Sequence, residues 1–220
     1  LDMTTANQLE FVFDDINEYY AGITNYAATI LKVSSTVSWD LYAVGRSSGS
    51  TAPGFWDQQI DYGGNNNNAI DQLPLSLLEL RQSQPNSGDG AATGTFSDYS
   101  AAFSPNGVVS ARNSLFTNSD GSITAPTAVD KYIAGHAGTT GVSGDDFMSG
   151  GSYMTQNGTT SDYYYAMDYR ILPGLPATFP NAASADAATA QDIVTSNAAG
   201  NYAEPGVYTM YVQYVLLEDQ

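Results

Sequence analysis

Apolar and polar positions alternate over the first thirteen residues. Leu1, Met3, Thr5, Leu9, Phe11 and Phe13 share one parity, Asp2, Thr4, Gln8 and Glu10 take the other, and only Asn7 interrupts the apolar side. A period of two places successive side chains on opposite faces of an extended chain. The pattern therefore predicts a strand over residues 8–13, preceded by a short arm, residues 1–7, with strand character of its own.

The same pattern closes the chain, where Tyr208, Met210, Val212, Tyr214 and Leu216 alternate with Thr209, Tyr211, Gln213 and Val215. Residues 28–44 are rich in Val, Ser, Thr, Ile and Leu around Trp39, without Gly or Pro, and predict one long or two bent central strands. A shorter apolar strand is expected between Leu73 and Leu80. Residues 96–103 and 108–116 flank Pro105-Asn106-Gly107, which predicts a hairpin because Asn-Gly accepts the positive φ of a tight turn. A second turn follows at Asn118–Ser122. Residues 162–170 form a tyrosine-dense strand ended by Pro173, Pro176 and Pro180.

Between these runs lie two loops without periodicity, one around Gly63, Gly64 and Asn65–Asn68 and one over residues 135–151, where Gly recurs. Residues 182–199, alanine-rich with Ser184 as a cap and Gly200 after them, are the one helix candidate. The expected fold is all-β, an immunoglobulin-like or Greek-key sandwich with long Gly/Asn-rich loops and at most one short helix, in a single domain over residues 8–220. No internal repeat is present.

Composition narrows the partners. Six basic residues stand against 23 acidic ones in 220, a formal net charge of −17, and no two of the six are adjacent. Phosphate recognition needs clustered cations, so nucleic acid is excluded as an expected partner, and an anionic membrane surface is disfavoured. No apolar stretch reaches the ~18 residues of a membrane-spanning helix. The chain has no cysteine, which removes disulfides and thiolate chemistry, and its solubility rests on uncharged polar residues. Together with a first residue that is Leu, this profile predicts a processed, secreted protein.

Catalytic constellations are weak. His136 is the single histidine and lies in the Gly-rich loop, so nucleophile-base pairing and zinc ligation lack partners. The neighbouring carboxylates Asp14-Asp15, Asp57 with Asp61, Asp145-Asp146 and Glu218-Asp219 read as a solvated acidic rim. Adjacent strand residues point to opposite faces and cannot flank one bond. Neither an enzyme nor a cofactor is expected. Asn118 and Asp120 are the calcium candidates, set against a plain Asx turn, since calcium wants ~6–8 oxygens. Asn157-Gly158-Thr159 is a glycosylation sequon. Phe55, Trp56, Tyr163, Tyr164 and Tyr165 are candidate exposed aromatics, suited to stacking on sugars or to an interface.

The run Gly206-Val207-Tyr208 through Tyr214, with the alternating start Leu1 to Phe13, resembles the pilin-like and spore-coat-U-like subunits of bacterial surface filaments. That resemblance implies a β-sandwich subunit that polymerises by strand donation, with Leu1, Met3 and Thr5 as the inserting side chains. The expected function is a structural subunit of an extracellular, cell-surface filament, a homopolymer with adhesion to surface glycans as a secondary role. The alternative is a monomeric carbohydrate-binding or adhesin module using the aromatic set.

Overall fold

The computed structural model describes residues 1–15, 18, 22–49, 53–62, 69–70, 73–83, 98–104, 112–135, 150–154, 163–171, 202–203 and 205–218. The fold is all-β. Its strands are β1 (Asp2–Met3), β2 (Ile23–Lys32), β3 (Ser34–Ser35), β4 (Trp39–Arg46), β5 (Asp57–Asp61), β6 (Ala69–Ile70), β7 (Leu78–Gln82), β8 (Tyr132–Ala134), β9 (Gly151–Ser152), β10 (Tyr164–Ile171), β11 (Tyr202–Ala203), β12 (Gly206–Thr209) and β13 (Tyr211–Glu218). One antiparallel sheet has the order β1-β2-β10-β7 and a second the order β13-β4-β8, accompanied by the two-stranded ribbons β12-β5, β3-β9 and β11-β6.

The two main sheets share one core. Leu31 of β2, Leu78 and Leu80 of β7, and Tyr165, Met167, Tyr169 and Ile171 of β10 meet Trp39, Leu41 and Ala43 of β4 and Ile133 of β8. Trp39 sits at its centre, with the Tyr165 ring edge-on at 6.3 Å and the Tyr163 ring tilted at 5.8 Å. The predicted run 28–44 thus divides into β2 and β4, which lie in different sheets, with Val33 to Ser38 as the crossing. β4 is buried on its other face too, where Tyr42 and Val44 pack with Tyr132, and Phe116, Ala125 and Val215 cover them. The Tyr42 hydroxyl donates to the Ile123 carbonyl at 2.7 Å and that of Tyr132 to Pro126 at 3.1 Å.

One side of the sandwich is sealed by backbone. Among the described residues, 112–117 form no ladder with 98–103, and the turn of the expected hairpin lies outside the described residues. Leu80 N–H donates to Asn113 O and Leu115 N–H to Leu78 O, while Gly45 N–H of β4 donates to Phe116 O, each at 2.8 Å. This segment therefore bonds to the outer strand of one sheet and to the middle strand of the other. Gln82 Nε2 adds a buried bond to Ile133 O at 2.6 Å. Asp98–Ser100 is a 3-10 turn and not a strand. Asn113 turns its amide onto Leu80 O and Ala101 O and so ties its segment to β7.

The β4/β13 ladder runs to Arg46↔Tyr211 and resumes as β5/β12 at Asp57↔Thr209. Asp57 takes the ladder position that Ser48 would have filled. Its carboxylate accepts bonds from Ser47 Oγ (2.6 Å), Ser48 N (2.6 Å), Ser48 Oγ (2.7 Å) and Gly49 N (2.7 Å). A Cβ at Gly49 would meet Asp57 Oδ1, so a side chain there would push the carboxylate away from its partners.

The outer face of the β10/β7 pair carries a buried charge checkerboard, Asp168↔Arg81 beside Arg170↔Glu79. Arg170 Nε donates to Glu79 Oε2 at 2.5 Å and Nη1 to Ser104 O at 2.8 Å, with the guanidinium 4.6 Å from the Phe103 ring centre. Asp168 Oδ1 accepts the Ala27 N–H at 2.7 Å, pinning a bulge where the β10/β2 register shifts and Ala27 takes a φ of 46°.

Several expected elements lie outside the described residues: the loop Asn65–Asn68, the turn 105–107, most of the loop 135–151 and the helix 182–199. The strand expected over residues 8–13 forms no ladder. The ladder strand of the arm is Asp2–Met3.

Two of these polar groups make measurable contributions to stability. Arg170→Met strands the Glu79 carboxylate and lowers unfolding free energy by about 3–5 kcal/mol in denaturant titration, whereas the double variant Arg170→Met/Glu79→Leu regains most of it. Burial alone would raise the Asp57 pKa, but the bonds from Ser47, Ser48 and Gly49 outweigh it and hold the carboxyl below its ordinary 3.8. A carboxyl depressed on folding stabilises the fold above its unfolded pKa and loses that effect as pH falls through the folded one. The urea midpoint of the wild type therefore exceeds that of Asp57→Asn at pH 7, and the gap closes as pH falls below 3.8.

Candidate assembly surface

The side of the sandwich opposite residues 112–117 is closed differently. β2 is bonded along one edge to β10, but its other edge meets β1 only at Met3↔Leu31 and Asp2↔Lys32. Thr4 N–H then donates to Ile30 O at 3.1 Å, and Ile30 N–H donates to Thr5 Oγ1 at 3.2 Å. The Thr5 hydroxyl thus stands in for a backbone carbonyl at the point where the ladder stops.

Past this point no ladder continues. Phe11 and Phe13 are partly buried and pack against the main core, as do Ala28 of β2 and Met210, Val212, Tyr214 and Leu216. Val12 between them is 52% exposed, so the alternation seen in the sequence is real although no ladder carries it. Leu1 is 46% and Met3 40% exposed, and Thr5 is half-buried with its hydroxyl used on Ile30. The residues that enter the core rim are Phe11 and Phe13. Their parity was the available signal, and only the structure separates them from Leu1 and Met3.

β13 forms the facing border. It is the outer strand of its sheet, and Tyr211 through Glu218 contains none of the Lys, Arg or Pro residues that blunt free edges. A hydroxyl chain runs inward from it. The Tyr214 hydroxyl is hydrogen-bonded to that of Tyr169, which lies 3.1 Å from Thr29 Oγ1, so β13, β10 and β2 are linked across the core. Burial raises the pKa of both tyrosines.

The aromatic platform expected at the surface is not assembled. Tyr163 and Tyr165 are buried against Trp39, and Trp56 packs on the same core while its backbone N–H donates to Leu73 O at 2.8 Å. Phe55 pairs with Pro74 in an isolated bridge, and Tyr164 is half-buried on the opposite face of β10. The physical reason is strand parity: Tyr163 and Tyr165 fall on the Met167 face, which points inward.

At Asn118 and Asp120 the chain forms an Asx turn, with Ser122 N–H on Asp120 Oδ1 at 2.9 Å and Gly121 at a φ of 70°. Asn118 Nδ2 donates to Ser122 O and Thr124 O, so these carbonyls are engaged within the loop. Among the described residues no group of three or more His, Asp or Glu side chains converges, and no helix is long and apolar enough to cross a membrane. Asn157, His136 and Asp145-Asp146 lie outside the described residues. The chain matches no protein-family model and no curated protein.

Tyrosine nitration checks this division of the aromatics. Tyr26, Tyr62 and Tyr211, at 73%, 67% and 59% exposure, react in the native chain, while Tyr163 and Tyr165 stay unmodified until unfolding; peptide mapping reads each site.

Proposed function

We propose that the chain is a non-catalytic, secreted structural subunit of an extracellular filament, assembled from identical subunits by β-strand addition through the N-terminal arm, residues 1–7. The observation that carries this reading is how lightly the arm is held. A ladder of two residue pairs and the bonds at Ile30 attach it, each worth about 0.5–1.5 kcal/mol net. Leu1 and Met3 leave a large part of their surface in water. An arm so attached exchanges readily, and the β2 edge that it leaves accepts an identical strand with the same bonds.

Charge and composition support the same reading. A chain with so few cations has no means of gripping nucleic acid, and its unblunted β13 edge suits lateral contacts between copies. The glycan-binding alternative loses its platform once Tyr163, Tyr165 and Trp56 serve the core. Negative-stain electron microscopy of the full chain beside a chain lacking residues 1–6, at matched concentration, tests the proposal. Filaments are expected from the first and monomers from the second; monomers from both, at every concentration, refute it.

A further inference from the structure

We infer that β13 is a second contact between copies: its outer edge pairs antiparallel with β13 of another copy about a two-fold axis through Tyr214. This contact goes beyond strand donation by the arm and does not depend on it.

The edge is open to another strand. β13 is the last strand in the order β13-β4-β8, its ladder to β4 uses one side only, and among the described residues no backbone bond reaches its other side. A row of backbone N–H and C=O groups without ladder partners is a template for pairing. Charge favours a second copy at this place over others. Two chains of net charge −17 repel one another, and from Pro205 to Leu217 there is no charged side chain to add to that repulsion at close range.

The occupant is identified by self-complementarity. A two-fold axis normal to the sheet keeps inward faces beside inward faces only when it passes through a residue, because side chains alternate along the strand. With the axis at Tyr214, Tyr211 stands opposite Leu217 of the second copy, Val212 opposite Leu216, and Gln213 opposite Val215. Tyr211 and Leu217 are the exposed large apolar residues of β13, at 59% and 41%, and each then covers the other on both sides of the axis. Glu218 faces Met210 and not its own counterpart. Moving the axis to Gln213 sets Leu217 opposite Thr209, and moving it to Val215 sets Tyr211 opposite Asp219; either shift breaks the match. The contact is isologous, so it closes at two copies and joins filaments side by side without lengthening them.

Cysteine pairing tests the register, since the chain has no thiol of its own. An equimolar mixture of the full-length variants Tyr211→Cys and Leu217→Cys, oxidised in salt that screens the net charge, is expected to give mixed disulfide dimers on non-reducing gels, with the linked peptides identified by mass spectrometry. Either variant oxidised alone is expected to stay largely unlinked, because in this register its two thiols lie about 20 Å apart along the strand, beyond disulfide reach. Tyr211→Lys/Leu217→Lys sets ammonium opposite ammonium at both ends of the contact and is expected to raise the dimer dissociation constant at least about tenfold by sedimentation equilibrium, with an unchanged unfolding midpoint as the control for folding.

A mixture that links no better than either variant alone, or a lysine variant that associates as the wild type does, overturns the two-fold pairing. Neither result bears on the arm, whose removal is the separate test of strand donation.

Discussion

Two sheets stacked face to face leave two open sides, and the way each side is closed governs the rest of this molecule. No disulfide is available to hold the layers together, because the chain has no cysteine. On the β7/β8 side the closure is made of backbone: residues 112–117 bond to β7 and to β4, and Gln82 reaches Ile133 across the gap. Such bonds require their own chain segment in one register, so this side is fixed. On the β2 side the outer edge carries a ladder of two residue pairs, Asp2↔Lys32 and Met3↔Leu31, continued by the Thr4 and Thr5 bonds to Ile30. The two sides are thus closed to very different extents.

The interior between the seams is unusually aromatic for a sandwich with so little charge. Trp39, Tyr163, Tyr165, Tyr169 and Tyr99 fill space that aliphatic residues commonly fill, and their hydroxyls must then find partners. Tyr169 and Tyr214 bond to each other, and Tyr99 O–H receives the Phe116 N–H at 3.0 Å. Each buried hydroxyl so placed becomes a link between layers. Of the six cations, Arg170 is used inside, where Glu79, Ser104 and Phe103 surround it. Glu79 and Asp168 are buried with it, and the net negative charge favours solubility over non-specific contact.

Much of this was legible in the sequence, and the failures have physical causes. The alternation over Leu1–Phe13, over residues 162–170 and over Val207–Leu217 located the arm and the strands β10 and β13, because a period of two reports extended chain regardless of context. It did not report which face is inward. Tyrosine suits either side, so Tyr163 and Tyr165 read as a surface platform until the register with Met167 and Trp39 fixed them inside. Phe55-Trp56, flanked by Gly54 and Asp57, read as an exposed loop, yet Trp56 is drawn to the core by its backbone bond to Leu73. The alternation around residues 112–116 says nothing about which strand they will join, and the structure ties them to β7 and β4. Nor could the sequence disclose that Asp57 replaces Ser48 in the ladder, since that splice is set by pairing in three dimensions.

In the proposed filament the β2 edge, covered by its own arm in the free chain, is covered by the arm of another copy. Amide hydrogen exchange on the free chain and on the assembled state tests it most directly. The account predicts that, in the free chain, amides of residues 2–13 and of the β2 edge exchange much faster than those of β4 and β10, and that assembly protects both sets together. Equal protection of the arm and β4 in the free chain, or no gain in protection on assembly, would contradict it.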